Sequence, residues 1–228
     1  MHKKKYDLII FDLDGTLYPK SEKITQAFLK GAAKVVSKEE DISIEEATEM
    51  IEQKREKLTQ QTDGKVTYTL TLLTNWNVAI SDYELEVSKS VDGINKIVDK
   101  DQYAINALEK VVAHYPIFLF TTNNQILAEK ILKAAGLDIF FPKDRRFTVS
   151  SIKELGIEQS EITTYLKPET GGFEYIINKE KVNYEQVLMV GDSASSDIKP
   201  AEKLEMKGYH VTNRPDLYNL PAWLGLEG

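Results

Sequence analysis

No cysteine occurs anywhere in the 228 residues. That excludes disulfides, thiolate catalysis and cysteine-ligated zinc or iron–sulfur centres. Histidine is scarce as well: His2, His114 and His210 stand far apart, which argues against a histidine-rich metal centre. Basic charge is not in excess. Lys and Arg number 29 against 36 Asp and Glu, for a formal net charge of -7, so the global basic footprint of a nucleic-acid binder is missing. No apolar stretch reaches the roughly 20 residues that span a bilayer. The short apolar run behind His2-Lys3-Lys4-Lys5 is interrupted by Asp12 and does not read as a signal peptide. The expectation is a cytoplasmic protein that engages neither membrane nor nucleic acid.

Hydrophobic residues make up 42% and charged residues 29%, a globular balance. The length suffices for one good core plus a modest second module. Leu8-Ile9-Ile10-Phe11 forms a near-continuous apolar run inside a strand predicted over Tyr6–Leu13, as suits a parallel strand covered on both faces. Further strands are predicted at Ile117–Thr121 and Val187–Val190, with weaker ones at Phe147–Val149, Ile162–Leu166 and Tyr209–Val211. Helices are expected between them over Gln102–Val112, Gln125–Ala135 with Gly136 as its stop, Phe173–Asn178 and Ile198–Met206. This alternation predicts an α/β fold, a Rossmann-like core of three layers with a mostly parallel sheet.

The stretch between the first strand and about residue 99 differs. Apolar residues recur there at helical spacing, most clearly over Ile42–Leu58 and again over Ile24–Val36. Two more helices are predicted over Leu70–Tyr83 and Tyr83–Val98, with Asp92-Gly93 as a break. The division expected is a core formed by residues 1–20 and 99–228, with a helical module of residues 21–98 inserted into it, hinged near Pro19 and Val98.

Polar clusters end the apolar strands. Asp12 and Asp14, two apart, would point to one face of a regular strand at the carboxyl end where α/β sheets bind ligands. Their charges repel unless a cation sits nearby, and Gly15 permits a sharp turn. Both could be mere turn-formers, but Asp12 directly follows four apolar residues. Gly191-Asp192-Ser193 with Asp197 repeats the arrangement after another strand, completing an oxygen-rich site of the kind Mg²⁺ prefers. Asp197 reads equally as a helix cap. Thr121-Thr122-Asn123 places hydroxyl and amide donors at a third strand end, and Lys167-Pro168 offers a compact positive charge at a fourth. Each cluster alone is a common turn; four in one chain make a pattern.

That pattern resembles the haloacid dehalogenase-like hydrolases, in particular their magnesium-dependent phosphatases. The residues that carry the resemblance are Asp12-Leu13-Asp14-Gly15-Thr16, then Thr122-Asn123, then Lys167-Pro168-Glu169 with Phe173, then Gly191-Asp192-Ser193 with Asp197-Ile198, and finally Asn213-Arg214. The resemblance spans essentially the whole chain and implies that the inserted helices are a cap. Tyr18-Pro19 is reminiscent of pyrimidine 5′-nucleotidase-like members. The chain departs from the pattern in three places. The stretch between Thr122 and Lys167 is long, Lys143-Asp144-Arg145-Arg146 is polar, and Glu205 stands where many relatives carry glycine.

The resemblance implies a role for each residue. Asp12 is the nucleophile and Asp14 the acid and then the base. Mg²⁺ is held by the Asp12 side chain, the Asp14 backbone carbonyl and Asp192. Thr122 and the amides of Gly15 and Thr16 hold phosphoryl oxygens, Lys167 offsets charge at Asp12, and Asn123, Ser193 and Asp197 support the site. The substrate implied is a small phosphate ester, a nucleoside monophosphate among the options, handled by a monomer or homodimer. A sugar-phosphate mutase would use the same residues. An inactive phosphate-binding or protein-interaction module would lack one of them, and none is missing. Trp76, Tyr68 and Tyr83 in the cap are read mainly as packing residues, and Arg55 as either a ligand for a second anionic group or part of a solvated face.

Overall fold

The computed structural model describes residues 5–61, 66–91 and 93–226. The lysine-rich start from His2 to Lys4 and the predicted break at Asp92 lie outside them. The apolar runs form the strands. β1 is Leu8–Phe11, and α1 to α4 follow it at Glu22–Glu40, Ile44–Gln61, Tyr68–Asn75 and Ile80–Ser90. Then come α5 (Gln102–Val112), β2 (Ile117–Phe120), α6 (Gln125–Ala135), β3 (Arg146–Phe147), α7 (Val149–Glu154) and α8 (Gly171–Glu180). The chain continues through β4 (Val187–Gly191), α9 (Lys199–Lys203), β5 (Lys207–His210) and α10 (Arg214–Trp223).

The five strands pair parallel throughout in the order β3-β2-β1-β4-β5. β1 is central, flanked by β2 with Ile9 opposite Ile117 and by β4 with Ile9 opposite Leu188. Side chains alternate across this sheet, as the period of a strand requires. Ile9, Phe11, Leu119 and Val190 join one buried cluster, and Leu8, Ile10, Phe118 and Met189 join another on the opposite face. Helices cover both faces, so every residue of β1, β2 and β4 is buried. This is the expected Rossmann-like α/β core with helices inserted after its first strand.

Several elements differ from expectation. Of Phe147–Val149 only Phe147 is in a strand, because Thr148 caps α7 in a reciprocal pair with Ser151. Ile162–Leu166 is not a strand: Gln159–Tyr165 forms 3₁₀ turns, and Ile162 and Leu166 are buried from one side of them. The helix expected over Leu70–Tyr83 is two, since Trp76 turns extended and Val78 packs into the core before α4 begins. The fourth helix ends at Ser90, and only a 3₁₀ turn at Ile94–Lys96 follows. The last strand starts two residues early, at Lys207. The helix expected over Ile198–Met206 is a π-type turn, Ala194–Ile198, running into the short α9. Glu205, where the resemblance leads one to expect glycine, lies just beyond α9 with φ of 64°, in the left-handed region that glycine occupies without steric cost.

Candidate active site

At the carboxyl edge of the sheet the chain leaves β1 in a tight loop. Asp12 still pairs through its N–H with Val190 of β4 (2.9 Å), and the loop closes with Gly15 N–H to the Tyr18 carbonyl (3.1 Å). Gly15 adopts φ of +91°, and a Cβ there would meet the Asp192 carboxylate at 2.6 Å. A side chain at this position would therefore both strain the turn and fill the gap between the first loop and β4.

Asp12 is buried. Its Oδ2 accepts from the Thr16 hydroxyl (3.0 Å) and its Oδ1 from the Lys167 ammonium (2.5 Å). Lys167, also buried, donates at 2.6 Å to Asp197, whose other oxygen accepts the Ser193 N–H at 3.0 Å. Gly191 makes room for this: a Cβ there would lie 2.5 Å from the Asp197 side chain. Burial pushes the Asp197 carboxyl up, to about 7, against the pull of Lys167. Burial also opposes the charge on Lys167, but the Asp12 and Asp197 carboxylates outweigh it and hold that ammonium above its usual range. The two shifts pull the shared proton opposite ways. An ammonium with carboxylate oxygens within 2.6 Å on both sides keeps it on Lys167.

Asp14 has the opposite setting. Burial first, and then the charge of Asp12, push its carboxyl up to about 6. Tyr18 donates to it at 2.5 Å, and Asn123 Nδ2 and the Thr121 hydroxyl approach at 3.3 and 3.4 Å. The Tyr18 hydroxyl is itself pushed well up by burial and by Asp14, so it stays a donor. One buried carboxylate is thus paired with a lysine, while its neighbour two residues on is poised to carry a proton.

Asp192 completes the edge. Burial and the charge of Asp12 raise its pKa, and the Lys20 ammonium, which donates to its Oδ2, opposes the shift. Carboxylate oxygens of Asp12, Asp192 and Asp197 all lie within 4.8 Å of one another. Three converging carboxylate oxygens form a hard donor set, and the mutual repulsion is what a divalent cation would relieve, so these residues fit Mg²⁺.

The residues expected from sequence after β1, after β2, after the turns that end at Tyr165 and after β4 therefore meet in one place. Thr122 lines the same cleft, while Thr121 is buried beneath it. Asn123 serves the loop, through Asp14 and the Asn124 N–H, and Ser193 caps the π-type turn that carries Asp197. Sequence reasoning missed three supports. The Tyr18 hydroxyl holds Asp14, Lys20 holds Asp192, and the Arg214 guanidinium holds the carbonyls of Thr16 (2.6 Å) and Leu17 (3.3 Å). The Tyr18-Pro19 and Asn213-Arg214 pairs stood out in the sequence, but nothing marked Lys20. Above these residues lies a cleft of about 200 Å³, roofed by α1, α2 and the start of α3.

The profile of the haloacid dehalogenase-like hydrolases matches residues 6–204. The chain belongs to that family. It is a hydrolase. A search of curated proteins found no match. Among solved structures, a HAD phosphatase from Thermococcus onnurineus is 22% identical, with 97% of this chain and 99% of that one covered and a TM-score of 0.54. A haloacid dehalogenase-like hydrolase from Xanthomonas campestris is 17% identical, with coverage of 99% and 94% and a TM-score of 0.59. The putative HAD-hydrolase YfnB from Bacillus subtilis, bound to magnesium, is 18% identical, with coverage of 95% and 99% and a TM-score of 0.55. At these identities the likeness is one of fold. No helix among the described residues is long and apolar enough to cross a membrane.

Proposed function

We propose that this hydrolase is a Mg²⁺-dependent phosphomonoesterase that works on a small phosphorylated metabolite through an aspartyl-phosphate at Asp12. The observation that carries this reading is the contrast between Asp12, ion-paired to Lys167 at 2.5 Å, and Asp14, held near a pKa of 6 beside it. In the first step an Asp12 oxygen forms a bond to phosphorus, the bond to the leaving oxygen breaks, and the Asp14 proton passes to that oxygen. In the second, Asp14 takes a proton from water, the water oxygen bonds to phosphorus, and the Asp12–phosphorus bond breaks. Lys167 offsets charge at Asp12 throughout. Thr122 holds a phosphoryl oxygen, whereas the amides of Gly15 and Thr16, expected to do the same, donate to the Tyr18 and Leu13 carbonyls (3.1 and 3.3 Å) and shape the loop instead. Asp12, the Asp14 carbonyl and Asp192 would hold Mg²⁺, which supplies positive charge and orientation to the phosphoryl group when bound; the magnesium-bound YfnB of like fold supports the choice of ion. Asp197 acts on Lys167. Residues 21–98 serve as the cap and residues 1–20 with 99–228 as the core.

The test is Mg²⁺-dependent release of phosphate from an aryl phosphate. Asp12→Asn lowers kcat roughly a thousandfold or more while the protein stays folded. Asp14→Asn lowers it by about 100- to 10,000-fold with less effect on Mg²⁺ affinity. Near-normal turnover by Asp12→Asn in excess Mg²⁺ would remove the nucleophile assignment.

A further inference from the structure

We infer that Arg55 is a specificity residue, and that the preferred substrate is a phosphomonoester with a second anionic group on its leaving portion. This rests on the phosphatase reading and adds the substrate class.

The charges around the cleft are divided between its two sides. The floor carries Asp12, Asp14, Asp192 and Asp197, and the two lysines beside them, Lys167 and Lys20, are each engaged by those carboxylates. On the roof, Arg55 of α2 is the one charged side chain among the described lining residues. Its neighbours there are hydroxyl-bearing or apolar, including Thr25, Thr67, Thr69 and Phe28.

Arg55 is held in place rather than left to wander. Its Nε donates to the Val66 carbonyl at 2.8 Å, and its Nη1 reaches Glu52 at 3.2 Å and the Tyr68 hydroxyl at 3.3 Å. The guanidinium lies 4.4 Å from the Tyr68 ring centroid, and Tyr68 in turn donates to Glu52 at 2.6 Å. Glu52, the carboxylate that steadies Arg55, does not itself line the cleft. The remaining amino group, Nη2, has no hydrogen-bond partner among the described residues. A guanidinium fixed on one edge and open on the other loses little freedom on binding and suits a carboxylate or phosphate. A purely structural staple would not need to line the cleft.

The test compares esters that differ only in that second group, in excess Mg²⁺. 3-Phosphoglycerate is set against glycerol 3-phosphate, and propanediol bisphosphate against propanediol monophosphate. The first pair reads a carboxylate and the second a phosphate, and a nucleoside monophosphate serves as a bulky ester with an uncharged leaving portion. For the wild-type enzyme we expect kcat/KM to favour one anionic member by about 10- to 100-fold, chiefly through KM, as a hydrogen bond to an ionised group implies. Arg55→Gln should bring the ratio within about threefold of one, and Arg55→Lys should restore part of it. Wild-type ratios at or below one overturn the inference without any variant, as does a preference that persists in Arg55→Gln. Hydrolysis of none of the esters would instead bring down the phosphatase reading, and this inference with it.

Discussion

The Lys20 ammonium donates to the Asp192 carboxylate, joining the strap that leads into the inserted helices to the end of β4. Asp192 is also one of three carboxylates that fit a divalent cation, so the ammonium and the metal draw on the same carboxylate. Lys20 is largely exposed, and pairs of that kind are weak and screened by salt. Replacing Lys20 with Met is expected to tighten Mg²⁺ binding by about two- to fivefold at low ionic strength, with the gain shrinking as salt is added. Calorimetric titration reads this directly. Weaker binding in the variant would mean that the ammonium assists the metal rather than competing with it.

Lys167 stands between Asp12 and Asp197, and all three are buried. Lys167→Met leaves two buried carboxylates facing each other with no counter-ion. Breaking a buried pair in this way costs about 3–5 kcal/mol. Urea denaturation in EDTA should register that loss, and Asp197→Asn added to Lys167→Met should recover part of it. Equal stability of wild type and Lys167→Met would show the ammonium to be idle.

Asp14 links stability to pH in the metal-free protein. Its carboxyl is raised to about 6 in the fold, against about 3.9 in an unfolded chain. The folded state therefore binds this proton more tightly. The stability it contributes is fully present below about pH 4 and is lost as pH rises through about 6. Comparison with Asp14→Asn isolates the group. In EDTA, the stability of wild type relative to the variant should fall by up to about 3 kcal/mol between pH 4 and 6.5, an upper bound because Asp14 borders the open cleft. The same repulsion predicts that Mg²⁺ stabilises the protein more at pH 7.5 than at pH 5, as a thermal shift would register. A flat difference across this range would show that Asp14 keeps an ordinary carboxyl pKa.

The chain's most regular features were also its most readable. β1, β2 and β4 are unbroken apolar runs because both faces of a parallel strand are covered, and α5 and α6 fall on their expected bounds because Asp101, Asn124 and Gly136 cap them. Four polar clusters converge because each follows a strand, or a turn, that ends at the same edge of the sheet. Apart from the pairing of Lys167 with Asp12, contacts between distant residues were not legible. Nothing in Lys20 or Arg214 names a partner more than 100 positions away. Ile162 and Leu166 look like strand residues until the turns around them are seen to bury one side only. Glu205 was the exception, a local oddity whose cause is a backbone angle.

Arg214 at the start of α10 ties three segments together. Its guanidinium holds the carbonyls of Thr16 and Leu17 in the first loop, and it pairs with Asp101 at 2.5 Å. Asp101 caps α5, where the chain re-enters the core, and accepts from the Tyr218 hydroxyl at 2.8 Å. Burial alone would raise the Asp101 carboxyl, but the Arg214, Ala104 and Tyr218 donors outweigh it and lower it. A lowered carboxyl stabilises the fold above its unfolded pKa of about 3.9, and that contribution is lost as pH falls through the folded value. Arg214→Met should therefore cost about 1.5–3 kcal/mol near neutrality, with the gap to wild type narrowing below about pH 3.9. Because the lost bonds orient the loop that carries Asp12 and Asp14, kcat should fall by roughly tenfold or more with KM less affected, and Arg214→Lys should rescue stability better than turnover, since an ammonium cannot reproduce the forked contacts. If Arg214→Met kept full kcat at the reduced stability, the arginine would serve the packing of α10 and not the geometry of the first loop.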